Sequence, residues 1–352
     1  MITRSDAVNE ALERLEDYAY LDAPGFACHG PMGAETLSHL GHDDLVAGWV
    51  DGYRKRYDPL PAPPARDRLD ASDNRALCSA LGDASRLSDW AAMFREELWN
   101  RPWPDVVRHW APQLLAGYGG ALTHGLIRTA HAVRALPARG TPSTLMLDEV
   151  ARGLALWAGS YKVLPGRPRS RGPLTLSEAI PRLPRPPEPW SIFEAGAFAH
   201  IDELDGFPEA IEALGPPGPR SDPLGALSAQ FCNMILANPE VLAVPLVHTV
   251  TPIAAARTLL PYLPAVSSND LYAQLWQVGA AITVSFTPAG GTGAPNPDTE
   301  PASPDALLAK AIAHQDPHAL KFSEACVREH ALNPDPVYLL AVRHVLGQVQ
   351  PW

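Results

Sequence analysis

Apolar residues recur at helical spacing along most of this chain, and that recurrence limits what it can fold into. Ala7, Val8, Ala11, Leu12 and Leu15 form one stripe, with Ser5 as its candidate N-cap. Leu45, Val46, Trp49, Val50 and Tyr53 form a second over Asp43–Tyr57. An α-helix repeats every 3.6 residues, so each stripe faces one side and needs a partner to cover it. Further helices are expected over 88–100 and 105–117, from Pro142 to about Tyr161, and over 223–238. A long one should run from Asn269 to about Phe286 behind Ser268, and three more should close the chain over 304–314, 316–331 and 335–348. No strong period-two pattern of strand length and no repeat of fixed period is present. The expected fold is mainly α, a single multi-helix domain over residues 1–352.

Proline and glycine punctuate these stripes. Pro31 can occupy the first turn of a short helix that ends at Gly41, with His29 just before it. Residues 58–67 are a Pro-rich connector, and 164–190 form a longer Pro-rich irregular excursion. TPAGGTGAPNPDTEPAS, residues 288–304, carries no large apolar residue and is expected to be a flexible loop.

Composition narrows the function classes. Apolar residues make up 46% of 352, enough for a large core. The net charge is −11, with no basic run beyond Arg167–Arg171, which argues against nucleic acid or an anionic membrane surface as partner. Cys28, Cys78, Cys232 and Cys326 are scattered without a CxxC pair, so reduced thiols in a cytoplasmic protein are expected. The opening MITRSDAVNEALERLEDY lacks the apolar core of a signal peptide, and no apolar run is expected to span a bilayer. GxGxxG after a strand, the Walker loop, GxSxG and HExxH are all missing.

The chemistry-bearing residues are histidines. AIAHQDPHALKFSE, residues 311–324, holds His314, His318 and Lys321 at spacings of four and three. A continuous helix would put all three on one face. Burying a lysine is costly unless it is neutralised, paired or modified. Taken alone, the segment reads as a satisfied core histidine at His318 and a solvated surface lysine at Lys321. Three other settings add to it: His29 before its helix, His124 and His131 seven apart on one helix face, and His248 between AVPLV and Pro252. His39 and His42 flank a turn and should be exposed. Trp157, Tyr161, Tyr118 and Trp276 can line a flat apolar pocket or simply pack in the core.

Four segments together carry a resemblance: HGPMGAETLSHLG, LTHGLIRTAHAVRAL, VHTVTPIAAARTLLPYLP and DPHALKFSEACVREHA. In this order, over about residues 25–331, they resemble the questin oxidase family, Baeyer–Villiger-type oxidases of aromatic polyketide pathways. The resemblance implies an oxygenase that uses dioxygen to cleave a ring of an anthraquinone or related aromatic polyketide. It also implies a mononuclear non-heme Fe(II) held by four histidines and a carboxylated lysine. Matched segment by segment, these are His29, His124, His248, His318 and Lys321, with carbon dioxide bound as a carbamate on Lys321. Where relatives of fungal type tend to carry a second histidine four residues after His124, this chain has Arg128, and its extra histidine is His131. His131 therefore stands as an alternative ligand, and Arg128 as a residue that helps select the substrate. The implied set is chemically coherent. Neutral imidazole suits Fe(II), a carbamate supplies an anionic oxygen, and five ligands leave one octahedral position for dioxygen. Burial beside a metal favours the neutral amine that reacts with carbon dioxide. An NADPH-dependent Baeyer–Villiger reaction, with NADPH as external reductant, and a non-catalytic small-molecule-binding protein are the competing readings.

Overall fold

The computed structural model describes residues 3–138, 140–188, 190–218, 222–288 and 302–352. The fold is mainly α. The first helix, Arg4–Arg14, is capped by Thr3 rather than Ser5. Thr3 accepts from the Asp6 N–H while the Asp6 carboxylate reaches back to the Thr3 N–H, so two otherwise unpaired donors are satisfied together. Among the described residues the strands are two residues each, Leu21–Asp22 antiparallel to Phe26–Ala27, with Leu21 opposite Ala27. The next helix, Gly30–His39, has Pro31 in its first turn, and Gly41 follows at φ +85, a left-handed position suited to glycine. Asp43–Arg56 buries Val46, Trp49, Val50 and Tyr53, whereas Leu45 is exposed.

The long helices lie close to their expected places: Leu87–Asn100, Trp103–Leu114, Thr144–Gly159, Pro223–Leu236, Ser268–Phe286, Pro304–His314, Pro317–Leu332 and Pro336–Gln348. The unexpected ones are short: Asn74–Ala80, Ile192–Ala197 and Phe207–Glu212. One or two turns offer too few positions for a 3.6-residue period to register. The excursion over 164–190, described except for residue 189, holds one helical turn, Leu176–Ala179, followed by the 3-10 turn Ile180–Arg182. Of the expected loop over 288–304, residues 289–301 lie outside the described residues. One expectation needs correction: Ala243–Tyr262 is long and apolar enough to cross a membrane, with mean hydropathy 1.3. Of that window 78% is buried inside the protein, as in a core helix.

By internal contacts the chain divides into two compact units. The first comprises Met1–Val163 with Thr258–Pro264, and the second Leu164–Arg257 with Ala265–Trp352. In the first, the helix His124–Ala135 packs against Thr144–Gly159. The approach is closest at Gly125, where a Cβ would lie 2.4 Å from the Trp157 Cα. Within this core Arg128 is fully buried and grips Glu149 bidentately, Nε to Oε1 at 2.6 Å and Nη2 to Oε2 at 2.8 Å. Its Nη1 donates to the Ala19 carbonyl at 2.6 Å. Arg128 thus forms a buried structural ion pair, where the resemblance implied a residue that helps select the substrate.

In the second unit, Pro317–Leu332 packs with Pro304–His314 and Pro336–Gln348, and Pro223–Leu236 packs with Ser268–Phe286 and Pro336–Gln348. Arg257 ties this group together. It donates to Glu329 at 2.6 and 2.9 Å and also pairs with Asp222.

Removing one partner of a buried ion pair strands the other charge without solvent. Glu149→Ala is therefore expected to lower unfolding free energy by about 3–5 kcal/mol in urea denaturation. A loss within the ordinary surface range of about 0.5 kcal/mol would contradict this role.

Candidate metal centre

In the first unit two histidines are positioned by different devices. His29 lies just before the helix Gly30–His39, and its backbone N–H donates to the Tyr53 Oη at 2.8 Å. The Tyr53 hydroxyl in turn donates to the buried Asp22 carboxylate, which comes from the first strand. Burial pushes the Asp22 carboxyl up, with the Tyr53 hydrogen bond opposing it. Burial also pushes the neighbouring Cys28 up to about 12, so it remains a thiol and is no nucleophile despite its proximity to His29.

His124 opens the helix His124–Ala135 and is approached through three consecutive left-handed residues, Ala121, Leu122 and Thr123, with φ of 47, 49 and 71. Such residues cost about 1–2 kcal/mol each. The turn brings the Ala121 carbonyl to 2.6 Å from His124 Nδ1. A carbonyl only accepts, so Nδ1 carries the proton and Nε2 of the neutral ring bears the lone pair. His124 Nε2 lies 3.0 Å from His29 Nε2, with the rings edge-on at 77°.

The second unit holds another pair. His248 sits in the 3-10 turn Val247–Thr249 after the short helix Ala243–Leu246. Its Nδ1 is 2.9 Å from the Val244 carbonyl and 3.3 Å from that of Pro245, which again leaves the lone pair on Nε2. His318 is in the first turn of Pro317–Leu332. Asp316 caps that helix, accepting through Oδ1 from the His318 N–H at 2.8 Å and the Ala319 N–H at 3.1 Å. The same oxygen is 3.6 Å from His318 Nδ1. Burial pushes the His318 pKa down, Asp316 opposes this, and the Lys321 charge lowers it further, so the neutral ring is favoured. The His248 and His318 rings lie 5.6 Å apart at 73°. Lys321 is one turn further along the same helix and is 3% exposed, not the solvated lysine of the packing alternative.

His29 and His124 thus form one pair of imidazoles in the first unit, and His248 and His318 form another in the second. The donor set fits a metal. Metal–imidazole bonds are about 2.0–2.1 Å, so two nitrogens at right angles on one ion stand about 3 Å apart, close to the 3.0 Å between His29 and His124. At His124 and His248 the ring nitrogen away from the backbone carbonyl has the lone pair a metal needs.

Other expected residues lie elsewhere. His131 is outside both pairs, with its Nδ1 2.7 Å from Glu35 Oε2. His314 is also outside, because the segment 311–324 is not one helix: Gln315 turns left-handed at φ 65 and ends Pro304–His314 before Asp316 and Pro317 start the next. His39 is exposed, as expected, and His42 is half-buried. Tyr118, Trp157 and Trp276 are core residues, 2%, 1% and 0% exposed, and the Tyr161 ring covers Gly117. The indole N–H groups of Trp157 and Trp276 are buried without a hydrogen-bond acceptor among the described residues. The roles of Asp22, Tyr53 and Asp316 went unread in the sequence. Only Asp316 left a signal there, an acid just before Pro317 at a helix start.

Comparison of the chain with protein-family models found no match, and comparison with curated proteins found none either.

His131 and its neighbours yield a pH prediction. Glu35 accepts from Arg4 at 2.8 Å, from Arg134 at 2.9 and 2.7 Å, and from His131. Burial pushes its carboxyl up, but Arg134 and His131 outweigh that and hold it well below the usual carboxylate range. The folded value is below the unfolded one, so the stabilisation is complete above the ordinary value of 4.5 and fades as pH falls beneath it. Thermal melts should show wild type losing stability below that pH. Glu35→Gln should melt lower at neutral pH with a flatter acid limb, and an unchanged limb would contradict the assignment.

Proposed function

We propose that the protein is a non-heme metal oxygenase that cleaves a carbon–carbon bond of a ring in an anthraquinone or related aromatic polyketide, with dioxygen as oxidant. The observations that carry this reading are the pairing of His29 with His124, Nε2 to Nε2 at 3.0 Å, and of His248 with His318, rings 5.6 Å apart, two pairs that the reading joins on one ion. Four neutral nitrogen donors suit a divalent transition metal such as Fe(II) and match poorly the oxygen-rich shells of Mg²⁺ or Ca²⁺. Bound there, iron supplies one-electron chemistry with dioxygen.

The chain's own residues hold and orient. The Ala121 and Val244 carbonyls fix the tautomers of His124 and His248. The Asp22–Tyr53 pair anchors the backbone of His29. Lys321 is buried on the helix that carries His318, where its amine can take up carbon dioxide with loss of a proton and present the resulting carboxylate as a fifth, anionic ligand. Electrons come from the hydroquinone-like form of the substrate, or from NADPH as an external donor.

Oxygen uptake by iron-reconstituted protein with a panel of anthraquinones and their reduced forms tests this. Uptake with a ring-opened product in the mass spectrum is expected, and His318→Ala and Lys321→Ala should lower the rate by about 100-fold or more. Uptake only with NADPH, giving a ring-expanded ester, would favour the Baeyer–Villiger reading. Stoichiometric binding of an anthraquinone by metal-free protein, with no turnover after iron loading, would favour a binding protein.

A further inference from the structure

Asp316 combines two tasks that are separate elsewhere in this fold. One is capping: its Oδ1 takes the His318 and Ala319 N–H groups at 2.8 and 3.1 Å. The other concerns the ring of His318, whose Nδ1 stands 3.6 Å from that same oxygen. The carboxylate charge is close to the ring at this distance but too far for a hydrogen bond. At His124 and His248 the atom facing Nδ1 is a neutral backbone carbonyl. At His318 it is a carboxylate only 7% exposed. A buried carboxylate this close to an imidazole favours the positive charge the ring takes on when it binds a cation.

We infer that Asp316 is a positioning residue whose carboxylate charge strengthens the binding of a divalent transition metal through His318. The inference rests on the reading that the four histidines share one metal. It depends on charge and not on the cap, and the two can be separated. Asn and Ser cap helices about as well as Asp, but neither carries the charge.

The test is Co(II) titration of the metal-free full-length protein, followed by visible absorption and competition with a chelator, beside a thermal melt without metal. Asp316→Asn is expected to melt close to wild type while losing about 10- to 100-fold in Co(II) affinity. Asp316→Ala should lose both affinity and melting temperature. Asp316→Ser serves as the cap-competent variant if the asparagine protein does not fold. Equal Co(II) affinity in wild type and Asp316→Asn overturns the inference and leaves the four-histidine site standing. So does an affinity loss that appears only in variants whose metal-free melting temperature has fallen. Failure of wild type to bind Co(II) overturns the four-histidine reading itself.

Discussion

A buried imidazole needs a partner for each of its two nitrogens, and this requirement governs the candidate site. A ring that is to hold an ion must give one nitrogen to the protein and keep the other for the ion. At His124 and His248 the protein's share is a backbone carbonyl three or four residues upstream. At His318 it faces a carboxylate that also starts the helix. His29 is fixed through its backbone instead, by Tyr53 with Asp22 behind it. A histidine packed for shape alone needs only satisfied hydrogen bonds.

The local backbone bears part of the cost of placing His124. Ala121, Leu122 and Thr123 stand in a conformation that disfavours side chains, and the helix carrying His124 begins directly after them. The surroundings hold this turn firmly. Gly120 lies so close to the Ser160 carbonyl that a Cβ there would sit 1.4 Å from the oxygen, and Gly125 seats the helix on Trp157. Nearby charges serve a different purpose. Arg128–Glu149 and Glu35 with Arg134 and His131 are paired with one another and make this core specific rather than reactive.

Helix existence was largely legible in the sequence because long amphipathic stripes leave a clear period. Ser268–Phe286 and the three closing helices fall within a residue or two of their expected bounds. The first cap was misplaced from Thr3 to Ser5 because both precede the same stripe, and only the reciprocal Thr3–Asp6 bonds distinguish them. Within the candidate site, the histidines could be nominated one by one, but the pairing of His29 with His124 and of His248 with His318 depends on contacts far apart in sequence. That same dependence separated His131 from His124: seven residues are two turns on one face, yet Glu35 claims the second ring. The break at Gln315 explains His314. An Asp-Pro pair after a left-handed residue starts a new helix, so the spacing of four from His314 to His318 does not put them on one face. The left-handed turn before His124 left no signal, since Ala, Leu and Thr are not residues that favour that conformation.

The central claim is that four imidazoles bind one ion, and X-ray absorption at the iron edge of reconstituted protein tests it most directly. The account predicts a first shell dominated by nitrogen, with the multiple scattering characteristic of imidazole, weakened in His124→Ala and in His248→Ala but unchanged in His131→Ala. An oxygen-only shell, or a spectrum altered by His131→Ala and indifferent to the other two, would contradict it.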